Sequence, residues 1–141
     1  HAHPMYGKTF STLGKMLDPI SQDSCAFYER TAIFSDYDGV ANGPDEGINI
    51  AKALGDKEFC ILQNHGILTT GSMVDTAVWY FLNMEDACKS QLLAEAVGEP
   101  KIIPHETACA TRDYVANDLS AYVSFQPTID VLWQEEPDLL D

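Results

Sequence analysis

Basic residues are scarce in this sequence: eight Lys and Arg stand against twenty-two Asp and Glu, a formal charge of −14 over 141 residues. A surface of that sign repels nucleic-acid phosphates and anionic headgroups, so neither nucleic acid nor membrane is expected as a partner. A small anionic substrate stays open, because a metal ion and a few local donors outweigh a distant net charge. No apolar run approaches the ~20 residues that span a bilayer. The four cysteines, at 25, 60, 88 and 109, form no CxxC pair. They are too sparse for a disulfide scaffold and read as reduced, mostly buried thiols of a cytoplasmic protein. Signal peptide, internal repeat and low-complexity tract are all missing, and the first residue is His rather than Met. The chain is therefore expected to be a single domain over residues 1–141 that lacks an upstream part.

What is present is a core-forming chain with 45% apolar residues. Ala2 to Tyr6 reads as the end of a strand. Gly7 to Met16 reads as a short helix, broken at Asp18-Pro19 because proline disfavours helix in the residue before it. Ser21 to Arg30 reads as a helix with Ser21 as its cap, and Thr31 to Ser35 as a strand followed by a turn over Asp36 to Gly39. Pro44 opens a helix that runs to Gly55. Phe59 to Gln63 and Ile67 to Thr70 read as strands on either side of Asn64-His65-Gly66. The clearest helix is Ser72 to Val97, with a capping box from Ser72 and Asp75 and an apolar stripe of Ala77, Phe81, Met84, Cys88 and Leu92. His105 to Asn117 and Leu119 to Gln134 read as partly helical, and Glu135 to Asp141 as a loose acidic tail. Alternating strands and helices imply a helix-covered sheet. Three or four visible strands make a thin one, which again points to missing upstream elements.

Two histidine motifs carry the chemistry. In His1-Ala2-His3 the side chains at i and i+2 of a strand project the same way and can grip one ion. His65 stands at the end of the Phe59 to Gln63 strand, and Gly66 beside it permits a close approach. Three imidazoles with an open position describe a catalytic zinc-type site, whereas structural zinc sites close with four protein ligands. Each piece alone reads more readily as satisfied or exposed histidines.

The larger pattern decides between them. HAHPMYGKTFSTLG followed by ILQNHGILTTG resembles the class II aldolase/adducin family, with 61 residues between His3 and His65. The long helix after NHG, which carries Glu85, resembles that family too. The resemblance implies an α/β/α sandwich around a mixed, largely antiparallel sheet, in a homotetramer whose active sites lie at subunit interfaces. It makes His1, His3 and His65 the ligands of a zinc ion, with iron, manganese or cobalt as alternatives. The implied activity is a metal-dependent lyase acting on a small hydroxy-carbonyl compound or sugar phosphate, in which the cation stabilises an enediolate. Two alternatives stand beside it: an adducin-like interaction module with a residual metal site, and an iron-dependent decarboxylase or oxygenase.

Such chemistry needs a proton donor or acceptor. Family aldolases place a tyrosine near the position where this sequence has Gln22-Asp23. Dehydratase-type members carry an HQE-like segment there, which Ser21-Gln22-Asp23 resembles. Asp23 is accordingly the candidate acid/base; its other reading is a first-turn aspartate that complements a helix dipole. Tyr37, Asn64 and Gly66 are candidate substrate-contacting positions. An exposed turn tyrosine and a backbone-bonded asparagine are the alternatives for the first two. His105 lies outside the pattern and reads as a surface residue or helix cap.

Overall fold

The computed structural model describes residues 1–36 and 44–140. Strands β1 (Thr31–Phe34), β2 (Phe59–Leu62) and β3 (Gly66–Thr69) form one sheet in that order. β1 runs parallel to β2, and β2 antiparallel to β3. The described sheet is therefore mixed. Successive side chains of β2 point to opposite faces. Phe59 and Ile61 join a core with Phe10, Phe27, Ile67, Tyr80 and Met84, while Cys60 and Leu62 join a second one with Ala32 and Phe34. All four β2 residues are buried, and each large apolar side chain so buried contributes about 1.5–3 kcal/mol.

Helices cover these faces. α1 (Met5–Ser11) and α3 (Val74–Val97) pack on the first core, and α2 (Pro44–Leu54) brings Ile50, Ala53 and Leu54 to the second. α4 (His105–Val115) and α5 (Asp118–Glu135) follow, α5 lying along α3. Pro137–Leu140 adds one 3-10 turn beyond α5. Among the described residues no helix is long and apolar enough to cross a membrane. The four cysteines are free thiols, with Cys25, Cys60 and Cys88 buried.

The helix expected over Gly7 to Met16 ends at Ser11, and the structure departs from the sequence reading in four further places. The strand expected over Ala2 to Tyr6 is a single antiparallel bridge between Ala2 and Ile67. Pro4 has no N–H for a ladder and suits a helix entrance, so α1 starts at Met5. The helix expected over Ser21 to Arg30 is a 3-10 turn, Ser24–Phe27. There Ser24 Oγ accepts from the N–H groups of Ile20 and Ser21, both at 2.9 Å, and Ser21 Oγ accepts from Ser24 N–H at 3.1 Å. Serine side chains thus occupy backbone groups that a longer helix would need.

The third departure is the start of α3. Ser72 donates its hydroxyl to Asp118 at 2.7 Å instead of capping, and Met73 N–H donates to Thr76 Oγ1 at 3.3 Å. The fourth is the buried face of α3, which is Thr76, Tyr80, Met84, Ala87, Cys88 and Gln91. Ala77, Phe81 and Leu92 sit at its margin. Gln91, fully buried, reaches the Asp18-Pro19 break: its Oε1 accepts from Asp18 N–H at 2.8 Å and its Nε2 donates to Asp18 Oδ2 at 2.6 Å. Tyr37 and most of its turn lie outside the described residues.

Candidate metal centre

The Ala2–Ile67 bridge is what makes the centre. Ala2 N–H donates to the Ile67 carbonyl and Ile67 N–H to the Ala2 carbonyl, both at 3.4 Å. Because the side chains on either side of Ala2 project together, His1 and His3 are carried to the edge of β3, beside His65. The ring centroids are 5.0 Å apart for His1 and His3, 4.7 Å for His1 and His65, and 4.6 Å for His3 and His65. One nitrogen from each ring lies within 4.8 Å of the other two. His1 and His3 are exposed and His65 is half-buried.

His65 is held by a tight hairpin. Residues 63–65 connect β2 to β3, Leu62 pairing with Gly66, and Asn64 takes the left-handed conformation at φ 59°. Asparagine tolerates that region better than most residues. His65 N–H closes the turn on the Leu62 carbonyl at 2.9 Å, and Asn64 N–H reaches the Ser11 carbonyl at 3.3 Å. The Asn64 side chain stays exposed. Gly66 is required on steric grounds, since a Cβ there would stand 2.5 Å from the Ala2 carbonyl oxygen.

A residue outside the candidate set completes the support. Glu85, on α3, accepts from Tyr6 N–H at 2.8 Å and Gly7 N–H at 2.5 Å. These are orphan donors in the first turn of α1, which has no side-chain cap. The carboxylate also faces the positive end of that helix. The segment that carries His3 is so fastened to α3. The sequence signal for this was weak: one acidic residue along a long amphipathic helix, with no local partner.

The donor set suits a borderline divalent cation, which three neutral ligands would leave with its full charge for Lewis-acid chemistry. Beside His1 a hollow of about 260 Å³ is walled by Ala2, Thr69, Val74, Ala77, Val78 and Phe81. It offers room for a small organic molecule against apolar side chains.

Asp23 is elsewhere. It is exposed and lines a cavity of about 220 Å³ with Trp79, Tyr80 and Asn83. At ~100° per residue these three project from the side of α3 opposite to Val74, Ala77, Val78 and Phe81. One chain thus places Asp23 and the three histidines on opposite flanks of α3. The Asp23 side chain makes no capping hydrogen bond to the 3-10 turn that follows it.

The sequence model of the Class II Aldolase and Adducin N-terminal domain matches residues 1–92. The chain belongs to the class II aldolase and adducin family. Decarboxylase NovR of Streptomyces niveus is 37% identical over 139 residues, covering 99% of this chain and 52% of that protein. A protein of Streptomyces roseochromogenus subsp. oscitans, a 4-hydroxy-3-prenylphenylpyruvate oxygenase/4-hydroxy-3-prenylbenzoate synthase, is 37% identical over 139 residues, covering 99% of this chain and 50% of its own length. Among solved structures, L-fuculose 1-phosphate aldolase from Glaciozyma antarctica PI12 superposes with a TM-score of 0.88 at 38% identity, over 98% of this chain and 52% of that one. The chain thus spans about half the length of these relatives. Family membership places the histidine cluster in a class II aldolase and adducin fold.

Proposed function

We propose that the protein is a metal-dependent lyase acting on a small hydroxy-carbonyl compound, with His1, His3 and His65 as ligands of zinc or a similar divalent ion. The convergence of three imidazoles on one point beside an open hollow carries this reading. A cation held there supplies Lewis acidity that polarises a carbonyl and stabilises the negative charge developing as a C–C bond breaks. The chain's own residues shape the reaction. Val74, Val78 and Phe81 offer apolar surface to the organic part of a bound substrate. The exposed amide of Asn64, next to His65, is the proposed hydrogen-bond partner of the substrate; Gly66 keeps the site open by letting the Ala2 carbonyl lie against it. Tyr37 is retained as a further substrate contact.

Asp23 is proposed as acid/base in a homotetramer. Because it lies across α3 from the histidines of its own chain, the metal it is proposed to serve is that of a neighbouring copy. Exposed apolar side chains on α5, among them Leu119 at 72% and Val123 at 57%, support such an assembly. Cytoplasmic residence and a completed three-layer sandwich belong to the same reading. An adducin-like scaffold role fits less well, because a scaffold has no need of three convergent imidazoles.

One observation favours a second reading. Neither Lys nor Arg lines the hollow beside His1, so nothing described there would take up a sugar's phosphate. A decarboxylase or oxygenase, the activities by which the two Streptomyces relatives are named, would suit an apolar oxo acid, and three imidazoles also suit iron as its metal.

The deciding experiment is metal analysis of untagged protein, followed by turnover assays of the full-length gene product with a sugar phosphate and with an aryl pyruvate. His65→Ala is expected to lose the metal held by the three histidines and all turnover, and unchanged metal content would remove the site. Asp23→Asn is expected to keep the metal and lose turnover; undiminished turnover would remove Asp23 from the mechanism.

A further inference from the structure

A second group of donor atoms lies far along the chain from the histidine centre, where α4 meets the turn before β1. His105 opens α4 and Cys109 follows one helical turn later, so both present to the same side of the helix. Glu29 comes from the turn, where it holds the left-handed conformation at φ 60°. Cys109 Sγ lies 3.7 Å from Glu29 Oε2 and 3.9 Å from His105 Nε2. His105 Nδ1 lies 3.7 Å from Glu29 Oε1.

The sulfur separations are those of weak thiol hydrogen bonds and the His105–Glu29 separation that of a loose ion pair, so the three side chains converge. One donor atom from each residue lies within 4.8 Å of the other two, near enough for the three to form edges of a tetrahedron of ligands around one ion. With metal–sulfur bonds of about 2.3 Å and metal–nitrogen or metal–oxygen bonds of about 2.1 Å, such edges measure about 3.4–3.6 Å. Small rotations of partly exposed side chains close the difference.

We propose that Glu29, His105 and Cys109 form a second metal site, for a zinc-type divalent cation, that clamps α4 to the turn leading into β1. A thiolate, an imidazole and a carboxylate select a borderline-soft ion over magnesium or calcium. The surroundings are those of a ligand set with outer support. The Tyr28 hydroxyl lies 3.1 Å from His105 Nδ1 and orients the ring, leaving Nε2 for the ion. Arg112 Nη1 lies 3.3 Å from Glu29 Oε2, and its own charge is met by Asp113, which accepts from Arg112 Nε at 2.8 Å. Glu29 with an ionised Cys109 carries two negative charges for the cation. The fourth coordination position is left to water. α4, which has no side-chain cap, gains a fixed start.

Cobalt(II) titration of the full chain tests this. A thiolate ligand gives a near-ultraviolet sulfur-to-cobalt charge-transfer band that three histidines cannot produce. The band is expected in the unaltered protein and in His65→Ala, and is expected to vanish in Cys109→Ser and His105→Ala. Zinc content is expected to be two equivalents per chain in the unaltered protein and one in Cys109→Ser. Glu29→Gln is expected to weaken cobalt binding at this site at least tenfold while leaving the cobalt bound by the three histidines. A band absent from the unaltered protein, or one that persists in Cys109→Ser, overturns the proposal.

Discussion

Gly66 and Ala2 meet backbone to backbone: a Cβ on Gly66 would stand 2.5 Å from the Ala2 carbonyl oxygen and 3.2 Å from the His3 ring. The bridge between Ala2 and Ile67 is thereby conditional on a hydrogen in place of a side chain. Gly66→Ala is expected to push the His1–His3 segment off β3 rather than unfold the sheet, since Leu62 and Gly66 still pair through backbone groups. Its expected signature is a metal affinity lowered roughly 10–100-fold, the range for changes that disturb ligand placement, with only about 1–3 kcal/mol of destabilisation. Isothermal titration with zinc beside a urea melt separates the two. Affinity equal to that of the unaltered protein would show that the contact does not position the ligands.

Much of this was legible in the sequence, and what was not has identifiable causes. Thr31 to Ser35, Phe59 to Gln63 and Ile67 to Thr70 show themselves as short β-branched or aromatic runs, and all three are strands. The convergence of His1, His3 and His65 follows from a resemblance in spacing, and the structure supplies its geometry through one two-bond bridge. The expected Ser21 helix failed because the hydroxyls of Ser21 and Ser24 take local backbone partners, a competition that helical periodicity does not register. The buried face of α3 was misplaced by about one residue because Thr76, Tyr80 and Gln91, polar on paper, are buried in it. Asp23 illustrates a different limit. Nearness in sequence to a family motif says nothing about which flank of α3 the side chain will occupy.

The buried thiols predict a loss of stability in alkali. Burial pushes the Cys60 thiol from its usual 9.0 up to about 11, and burial with the nearby charge of Glu85 pushes Cys88 up to about 12. Both folded values exceed the unfolded one, so the stability concerned is intact below about pH 9 and declines as pH climbs toward the folded values. Near pH 10 each thiol accounts for about 1.4 kcal/mol, because the unfolded chain has already released a proton that the folded chain retains. Urea midpoints measured from about pH 7 to pH 10 are expected to fall, and Cys60→Ala/Cys88→Ala is expected to fall less steeply. Equal slopes in the two proteins would contradict the burial argument.

Glu85 supplies the last prediction, because it ties the start of α1, next to the metal centre, to α3. Its two oxygens accept from Tyr6 N–H and Gly7 N–H, immediately after the His1–His3 segment. Gln at this position offers one acceptor oxygen for the two donors and brings no charge to the start of α1. One N–H is then left without its partner, and the electrostatic contribution at the helix terminus disappears, together costing about 1–3 kcal/mol. Glu85→Gln is therefore expected to lower the urea midpoint and also to weaken zinc binding, since α1 can then shift and take His3 with it. Glu85→Asp, which keeps the charge but shortens the reach, is expected to recover part of the stability and less of the zinc affinity. Loss of stability with fully retained zinc affinity in Glu85→Gln would limit Glu85 to holding α1 against α3. A parallel loss of both ties the strength of the metal centre to a carboxylate more than eighty residues along the chain from His1.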